Sequence, residues 1–141
     1  MSIRSVRSIV AGQAPITAPR TATVLEAALL MKKQGKGALL VVEGTRLIGI
    51  FTERDVVFRV VAAGRDPAVT RLAEVMTAQP QTIHPSEPFV HALRIMHKGG
   101  FRHLPVVENE WPVGVISARD ALDDDLHQLR AHLEQRSDER D

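Results

Sequence analysis

The chain has no cysteine and no tyrosine, and only one tryptophan and four phenylalanines among its 141 residues. Without thiols there can be no disulfides, thiolate catalysis, iron–sulfur clusters or cysteine zinc sites. So few aromatic rings leave no stacking platform for single-stranded nucleic acid. Charge of one sign is missing too. Eighteen Lys and Arg face seventeen Asp and Glu, a net charge of +1, with the signs interspersed rather than gathered into the basic stripe a nucleic-acid surface needs. No apolar run reaches the length of a membrane span. The opening Met1-Ser2-Ile3-Arg4-Ser5-Val6-Arg7 lacks the apolar stretch of a secretory signal, so the expected location is cytoplasmic. There is no Gly-x-Ser-x-Gly elbow, P-loop or Gly-x-Gly-x-x-Gly motif, and the expectation is a protein that is not an enzyme.

What is present is a repeat. Shifted by 65 residues, Pro15–Asp55 lies on Pro80–Asp120 without a gap, and 13 of the 41 paired positions are identical. Ordinary residue usage gives about two or three by chance. Val41-Val42-Glu43 falls on Val106-Val107-Glu108, and Gly49–Asp55 falls on Gly114–Asp120. Two copies are too few for a solenoid. The expected geometry is two units facing each other across a pseudo-two-fold axis, with clefts between them.

Each copy runs in the same order. An entry segment (Val6–Val10, Leu72–Met76) leads to a short extended piece ending near Thr17 or Thr82. A helix follows, with apolar residues at i, i+3, i+4 and i+7: Val24, Ala27, Ala28 and Met31, then Phe89, Ala92, Leu93 and Met96. Thr21 and Ser86-Glu87-Pro88 read as helix starts, and Gly35 and Gly99-Gly100 as stops. Two hairpins follow, Ala38–Val42 with Leu47–Phe51 and His103–Val107 with Pro112–Ile116. A second helix is expected from Thr52 or Ser117 onward. The first of these, through Val56, Val57, Phe58, Val60 and Val61, is almost wholly apolar and expected to be buried. The second continues through Leu126, Leu129 and Leu133. The boundaries drawn are repeat one at 3–63, a linker at 64–71, repeat two at 72–136 and a frayed tail at 137–141.

The strand–Gly-h-h-[Thr/Ser]-x-Arg-Asp order places Thr52 and Ser117 where a strand gives way to a helix. Unpaired N–H groups at such a point attract anions, Arg54 and Arg119 could add charge-assisted bonds to a phosphate, and Asp55 and Asp120 could accept from ribose hydroxyls. The same Thr52-x-x-Asp55 and Ser117-x-x-Asp120 spacings are those of a capping box, which needs no ligand. Capping does not require the arginines.

These paired motifs, together with Arg102-His103-Leu104-Pro105-Val106-Val107 between helix and hairpin, resemble tandem CBS domains (a Bateman module) over about residues 3–125. The resemblance implies an α/β (α+β) fold of two β-α-β-β-α repeats packed through their sheets, a disc-shaped homodimer, and adenosine-type ligands held in the clefts and sensed rather than turned over. AMP, ADP, ATP, NAD(H) and S-adenosylmethionine are the implied candidates, with no required cofactor. Carried over residue by residue, Thr82 and Ile83 would line the base in the second copy, Arg102, His103, Leu104 and Pro105 would form a wall, Ser117 and Arg119 would meet phosphate, and Asp120 the ribose. The first-copy counterparts are Thr17, Ala18, Gly37, Ala38, Leu39, Thr52, Arg54 and Asp55. Because Gly37-Ala38-Leu39-Leu40 replaces Arg-His-Leu-Pro there, the second-copy site ranks first. The module implied is a regulator that signals energy or cofactor state to an effector protein. The alternative is an interaction or scaffold module whose pockets stay empty.

The six histidines have no zinc-type spacing, and no metal site is expected. Met31 and Met96 read as core fillers. Trp111, in a hairpin turn, is expected either against the sheet or at a dimer face.

Overall fold

A computed structural model of the chain describes residues 4–139, and the side chains of these except at 123, 124 and 136–139. The first copy contributes β1 (Thr17–Ala18), α2 (Val24–Gln34), β2 (Ala38–Glu43) and β3 (Arg46–Thr52), preceded by α1 (Val6–Val10). A short α3 (Glu53–Asp55) runs directly into a π-helical segment, Val56–Val61. Then come α4 (Leu72–Val75), β4 (Thr77–Ala78), α5 (Phe89–Gly99), β5 (His103–Glu108), β6 (Trp111–Ser117), a 3₁₀ turn at Ala118–Asp120 and α6 (Asp123–Glu139). Ile3 and residues 140 and 141, which belonged to the expected first repeat and tail, lie outside the described residues.

The 3.6-residue period of α2 and α5 turns Val24, Ala27 and Met31, and Phe89, Ala92, Leu93 and Met96, into the interior. Both helices stop as expected on a glycine with positive φ, Gly35 (64°) and Gly100 (73°). Their starts differ from expectation. Thr23, not Thr21, caps α2, accepting from the Glu26 amide at 3.1 Å in a reciprocal capping box. Pro88 precedes α5 without any side-chain cap.

The strands form a four-stranded sheet in the order β1-β2-β3-β4 and the hairpin β5-β6. In both hairpins the register pairs repeat-equivalent residues: Leu40 faces Ile50 as Pro105 faces Val115, with a register shift after Val41 and after Val106. Ile83 bridges to Val106 where β1 pairs with β2 in the first copy. Ala38, Leu40 and Ile50 pack with Leu47 and Val115 between the two hairpins, so the repeats join through their sheets.

The entry helices are exchanged. α1 lies ahead of the first copy, yet Val6 and Val10 belong to the core of the second, with Phe89, Leu104 and Ile116. α4 lies ahead of the second copy, yet Leu72 and Val75 belong to the core of the first, with Phe51, Leu39 and Val60. The backbone bonds repeat the swap. Val6 N donates to Glu87 O (2.8 Å) and Arg7 N to Pro85 O (2.9 Å), while Leu72 N donates to Ala22 O (2.9 Å) and Ala73 N to Arg20 O (3.0 Å). Neither repeat closes its core without the entry segment of the other. The two repeats thus interlock through their entry segments.

Two further expectations are corrected. The apolar stretch after Thr52 is not buried as a whole. Val60 is inside, but Val57, Phe58 and Val61 are 52%, 60% and 69% exposed, because a single turn anchored at one point can bury only one face. The helix after Ser117 does not start there: the 3₁₀ turn breaks at Ala121 (ψ 132°) and α6 begins at Asp123. α6 then runs through Glu139. Met31 and Met96 are buried in the two cores, and Trp111 is exposed at the start of β6.

Candidate functional site

The order strand–3₁₀ turn in the second copy leaves Ser117 and Asp120 on either side of one tight turn. Ser117 Oγ accepts from the Arg119 amide at 3.2 Å, and Asp120 Oδ2 accepts from the Ser117 amide at 2.8 Å. In the first copy Asp55 Oδ2 accepts from the Thr52 amide at 2.9 Å, and Thr52 Oγ1 from the Asp55 amide at 3.4 Å. Both motifs are thus capping boxes in fact. The cap uses one oxygen of Asp120; among the described residues Oδ1 has no hydrogen-bond partner.

The two arginines differ. The Arg54 guanidinium lies 5.1 Å from the Phe58 ring centroid, folded onto its own helix, and Asp55 is 3.5 Å from Arg59. Arg119 is exposed, and among the described residues no carboxylate lies within ion-pair distance of it.

Arg119, Ser117, Asp120 and Val115 form one side of a cleft of about 310 Å³. Its other side comes from before and within the first copy: Gln13, Pro15, Ile16, and the run Gly35-Lys36-Gly37-Ala38 that joins α2 to β2. His103 completes the lining. The exchange of entry segments puts Gln13 there. Its Oε1 accepts from the Val115 amide at 3.0 Å, completing the edge of β6. Small side chains keep the other wall low. A Cβ on Gly37 would stand 2.9 Å from Glu53 Oε1 and 3.4 Å from His103 Nε2.

His103 therefore sits at the junction of the repeats. Burial pulls its pKa below the ordinary histidine value; Glu53 opposes this, Arg102 and Arg119 reinforce it, and Asp120 opposes it. The unfolded chain binds a proton near pH 6.5, but the folded protein does so only at lower pH. The stabilising contribution of the neutral ring is thus complete above about pH 6.5 and is lost as pH falls through the folded-state value. In urea titrations of the ligand-free protein between pH 7.5 and 5, His103→Gln should flatten the acid-side loss of stability. Superimposable profiles for the two proteins would count against this placement of the ring.

The cleft thus gathers Gly37, Ala38, His103, Ser117, Arg119 and Asp120, residues drawn from both expected sites. It does not gather the rest. Thr82 is exposed away from it, Ile83 and Leu104 are in the second core, Pro105 is buried within β5, and Arg102 is exposed beside His103. Leu39 is in the first core. Thr17 and Ala18 lie in a wider groove of about 780 Å³ with Arg20, Leu30 and Arg71, which holds none of Thr52, Arg54 and Asp55. Sequence reasoning missed Gln13, Pro15, Ile16, Gly35, Lys36 and Val115. Only a reading of the repeat as interlocked, rather than as two separate units, would have pointed to them.

The profile of the CBS domain matches this chain twice, at residues 6–62 and 72–126. The CBS domain-containing protein YhcV of Bacillus subtilis is 34% identical over 116 residues, 82% of this chain and 81% of that protein. Among solved structures, the CBS domain protein PAE2072 from Pyrobaculum aerophilum, complexed with AMP, superposes with a TM-score of 0.80 at 26% identity, covering 90% of this chain and 98% of that one. The CBS domain pair of protein MJ0100, in complex with 5′-methylthioadenosine and S-adenosyl-L-methionine, gives 0.77 at 29% identity, covering 84% and 93%. The chain spans only 17%, 22% and 57% of the length of three Arabidopsis thaliana CBS domain-containing relatives that it matches at 31–41% identity. Among the described residues no helix is long and apolar enough to cross a membrane.

Proposed function

Because the chain belongs to the CBS-domain family and carries two such domains in tandem, we propose that it binds an adenosine-type nucleotide in the cleft between its repeats and regulates a partner according to occupancy. The observation that carries this reading is the cleft itself: Arg119 and Lys36 line it beside Asp120, and among the described residues Arg119 has no ion-pair partner and Asp120 Oδ1 no hydrogen-bond partner. A phosphate would take charge-assisted bonds from Arg119, and Asp120 Oδ1 would accept from a ribose hydroxyl while Oδ2 keeps the cap. The AMP complex of PAE2072 and the adenosine-compound complex of the MJ0100 pair support the ligand class.

The cationic lining favours a phosphorylated ligand, AMP, ADP, ATP or NAD(H), over S-adenosylmethionine. The cleft offers nothing that resembles an activated nucleophile or a paired acid and base, so the ligand would be sensed rather than converted. A ligand held by both repeats shifts the module only by its differential affinity for two arrangements of them, and an effector protein would read that shift. The exposed Val57, Phe58 and Val61 offer an apolar face for self-association, and a homodimer is the assembly this reading assigns to it. A monomer in sedimentation equilibrium at micromolar concentration would remove that part.

Calorimetry against AMP, ADP, ATP, NADH and S-adenosylmethionine tests the whole. The expected result is saturable one-site binding of at least one phosphorylated ligand and a raised melting temperature in its presence. No binding at millimolar concentration would favour the scaffold alternative, in which Ser117 and Asp120 only cap the turn.

A further inference from the structure

The N-terminal segment does more than fill the second core. Arg4 Nη1 donates to the Asp120 carbonyl at 3.2 Å and to Asp125 Oδ2, and its guanidinium lies 5.2 Å from the Phe89 ring centroid. Asp125 is 2% exposed, and its Oδ2 also accepts from the Leu122 amide at 2.9 Å. One side chain thus pins the Asp120 carbonyl directly, and the Leu122 amide through Asp125. The loop so held is the one that aims Asp120 at the cleft. Arg4 is itself fixed, since its carbonyl accepts from the Phe89 amide at 2.7 Å.

The pseudo-symmetric position lacks the device. Thr70 stands where Arg4 does, its carbonyl accepting from Val24 as that of Arg4 does from Phe89, but its hydroxyl turns back to Asp66 O at 2.7 Å. No residue of the entry segment before α4 reaches Asp55, whose ion pair is with Arg59 on its own helix. The clamp belongs to one cleft only.

We propose that Arg4 is a positioning residue for the Asp120 cleft, so that docking of the N-terminal segment and nucleotide binding are thermodynamically linked. This rests on the nucleotide reading of that cleft. Among the described residues Asp125 is a buried carboxylate with Arg4 as its one cationic partner, and removing that partner leaves an uncompensated charge that only a rearranged loop can hydrate. Linkage is reciprocal: whatever undocks Arg4 lowers nucleotide affinity, and bound nucleotide tightens the segment by the same factor.

The test uses the full chain, AMP as the probe, and the variants Arg4→Met, Arg4→Lys and Arg4→Met/Asp125→Asn, all at a temperature where circular dichroism shows them folded. Arg4→Met should lose about tenfold in AMP affinity, and Arg4→Lys should recover part of it by restoring the charge. The double variant should regain stability without regaining affinity, because the Asp120 carbonyl stays untethered. In the wild type, AMP should slow amide exchange at Val6 and Arg7, whose bonds to Glu87 O and Pro85 O hold the segment down. Unchanged affinity in Arg4→Met, or unchanged exchange at Val6 and Arg7 on saturation, overturns the proposal. If the wild type does not bind AMP, the linkage to AMP fails, while the nucleotide reading stands or falls with ADP, ATP and NADH. The clamp is then judged by the Leu122 amide, which should exchange faster in ligand-free Arg4→Met; equal protection would dismiss it.

Discussion

Gly114→Ala should lower the free energy of unfolding by about 2–3 kcal/mol, and Gly49→Ala by no more than about 1 kcal/mol. The two glycines are repeat-equivalent, in the middle of β6 and β3, and neither has a positive φ. Their smallness serves close approach, not backbone freedom. A Cβ on Gly114 would stand 2.6 Å from Val10 Cβ, 2.7 Å from Val10 Cγ1 and 2.9 Å from Gln13 Oε1. Val10 is β-branched and buried, so its Cβ cannot move without the backbone of α1. Relief means pushing α1 off the second core, where Val6 and Val10 are buried, and breaking the Gln13 bond to Val115. At Gly49 the nearest atoms are Met76 Sδ at 2.5 Å and Cγ at 3.1 Å, the end of a flexible thioether that can swing aside; Thr77 O, at 3.1 Å, sets the residual cost. Urea unfolding of both variants measures the difference. Equal losses would mean that α1 is not seated against β6 as described.

Asp120→Ala should weaken nucleotide binding by about 10- to 100-fold, the usual worth of a hydrogen bond to a charged group, and Asp55→Ala by less than about threefold. Both substitutions delete the carboxylate of a cap, each costing about 1 kcal/mol of stability, with a further loss for Asp55→Ala, which also removes the ion pair with Arg59. Binding separates them. Asp120 lines the 310 Å³ cleft with Arg119, and among the described residues its Oδ1 has no hydrogen-bond partner and Arg119 no ion-pair partner, whereas Asp55 is buried and paired with Arg59, and its neighbour Arg54 is stacked on Phe58. Calorimetric titration of the two variants decides the matter, and equal losses of affinity would place a ligand in both copies or in neither.

Much of this architecture could be read from the chain because it is written twice. The 65-residue shift, the apolar period of α2 and α5, and the β-branched runs around Gly44 and Asn109 led to the helices and hairpins found. Local reading failed where tertiary contacts decide. Nothing in Val56–Val61 says that Val60 will be buried and Val56 half-buried against the first core while Val57, Phe58 and Val61 stay exposed. Nothing in Ser117-Ala118-Arg119-Asp120 says that the turn will end at Ala121; that depends on Asp125 accepting from Leu122 and on Arg4 holding both, 116 residues away from Asp120.

The site was legible by composition and not by grouping. Ser117, Arg119 and Asp120 were marked together and are together. Gly37 and Ala38, read as a weakened copy of Arg102-His103, instead form the low wall opposite Arg119 in the same cleft. A substitution that looked like loss within one repeat is what gives the other repeat's cleft its room. Gln13 lies before the aligned block begins and carries no repeat signal at all.

The central claim is that one cleft, built from both repeats, holds the nucleotide. Its most direct test is an amide-resolved NMR titration with AMP. The account predicts saturable shifts confined to the two lining segments, Gln13–Ile16 with Gly35–Ala38 and Val115–Asp120, together with His103. Shifts centred on Thr17–Ala22 and Arg71, or none with any of AMP, ADP, ATP and NADH at millimolar concentration, would contradict it.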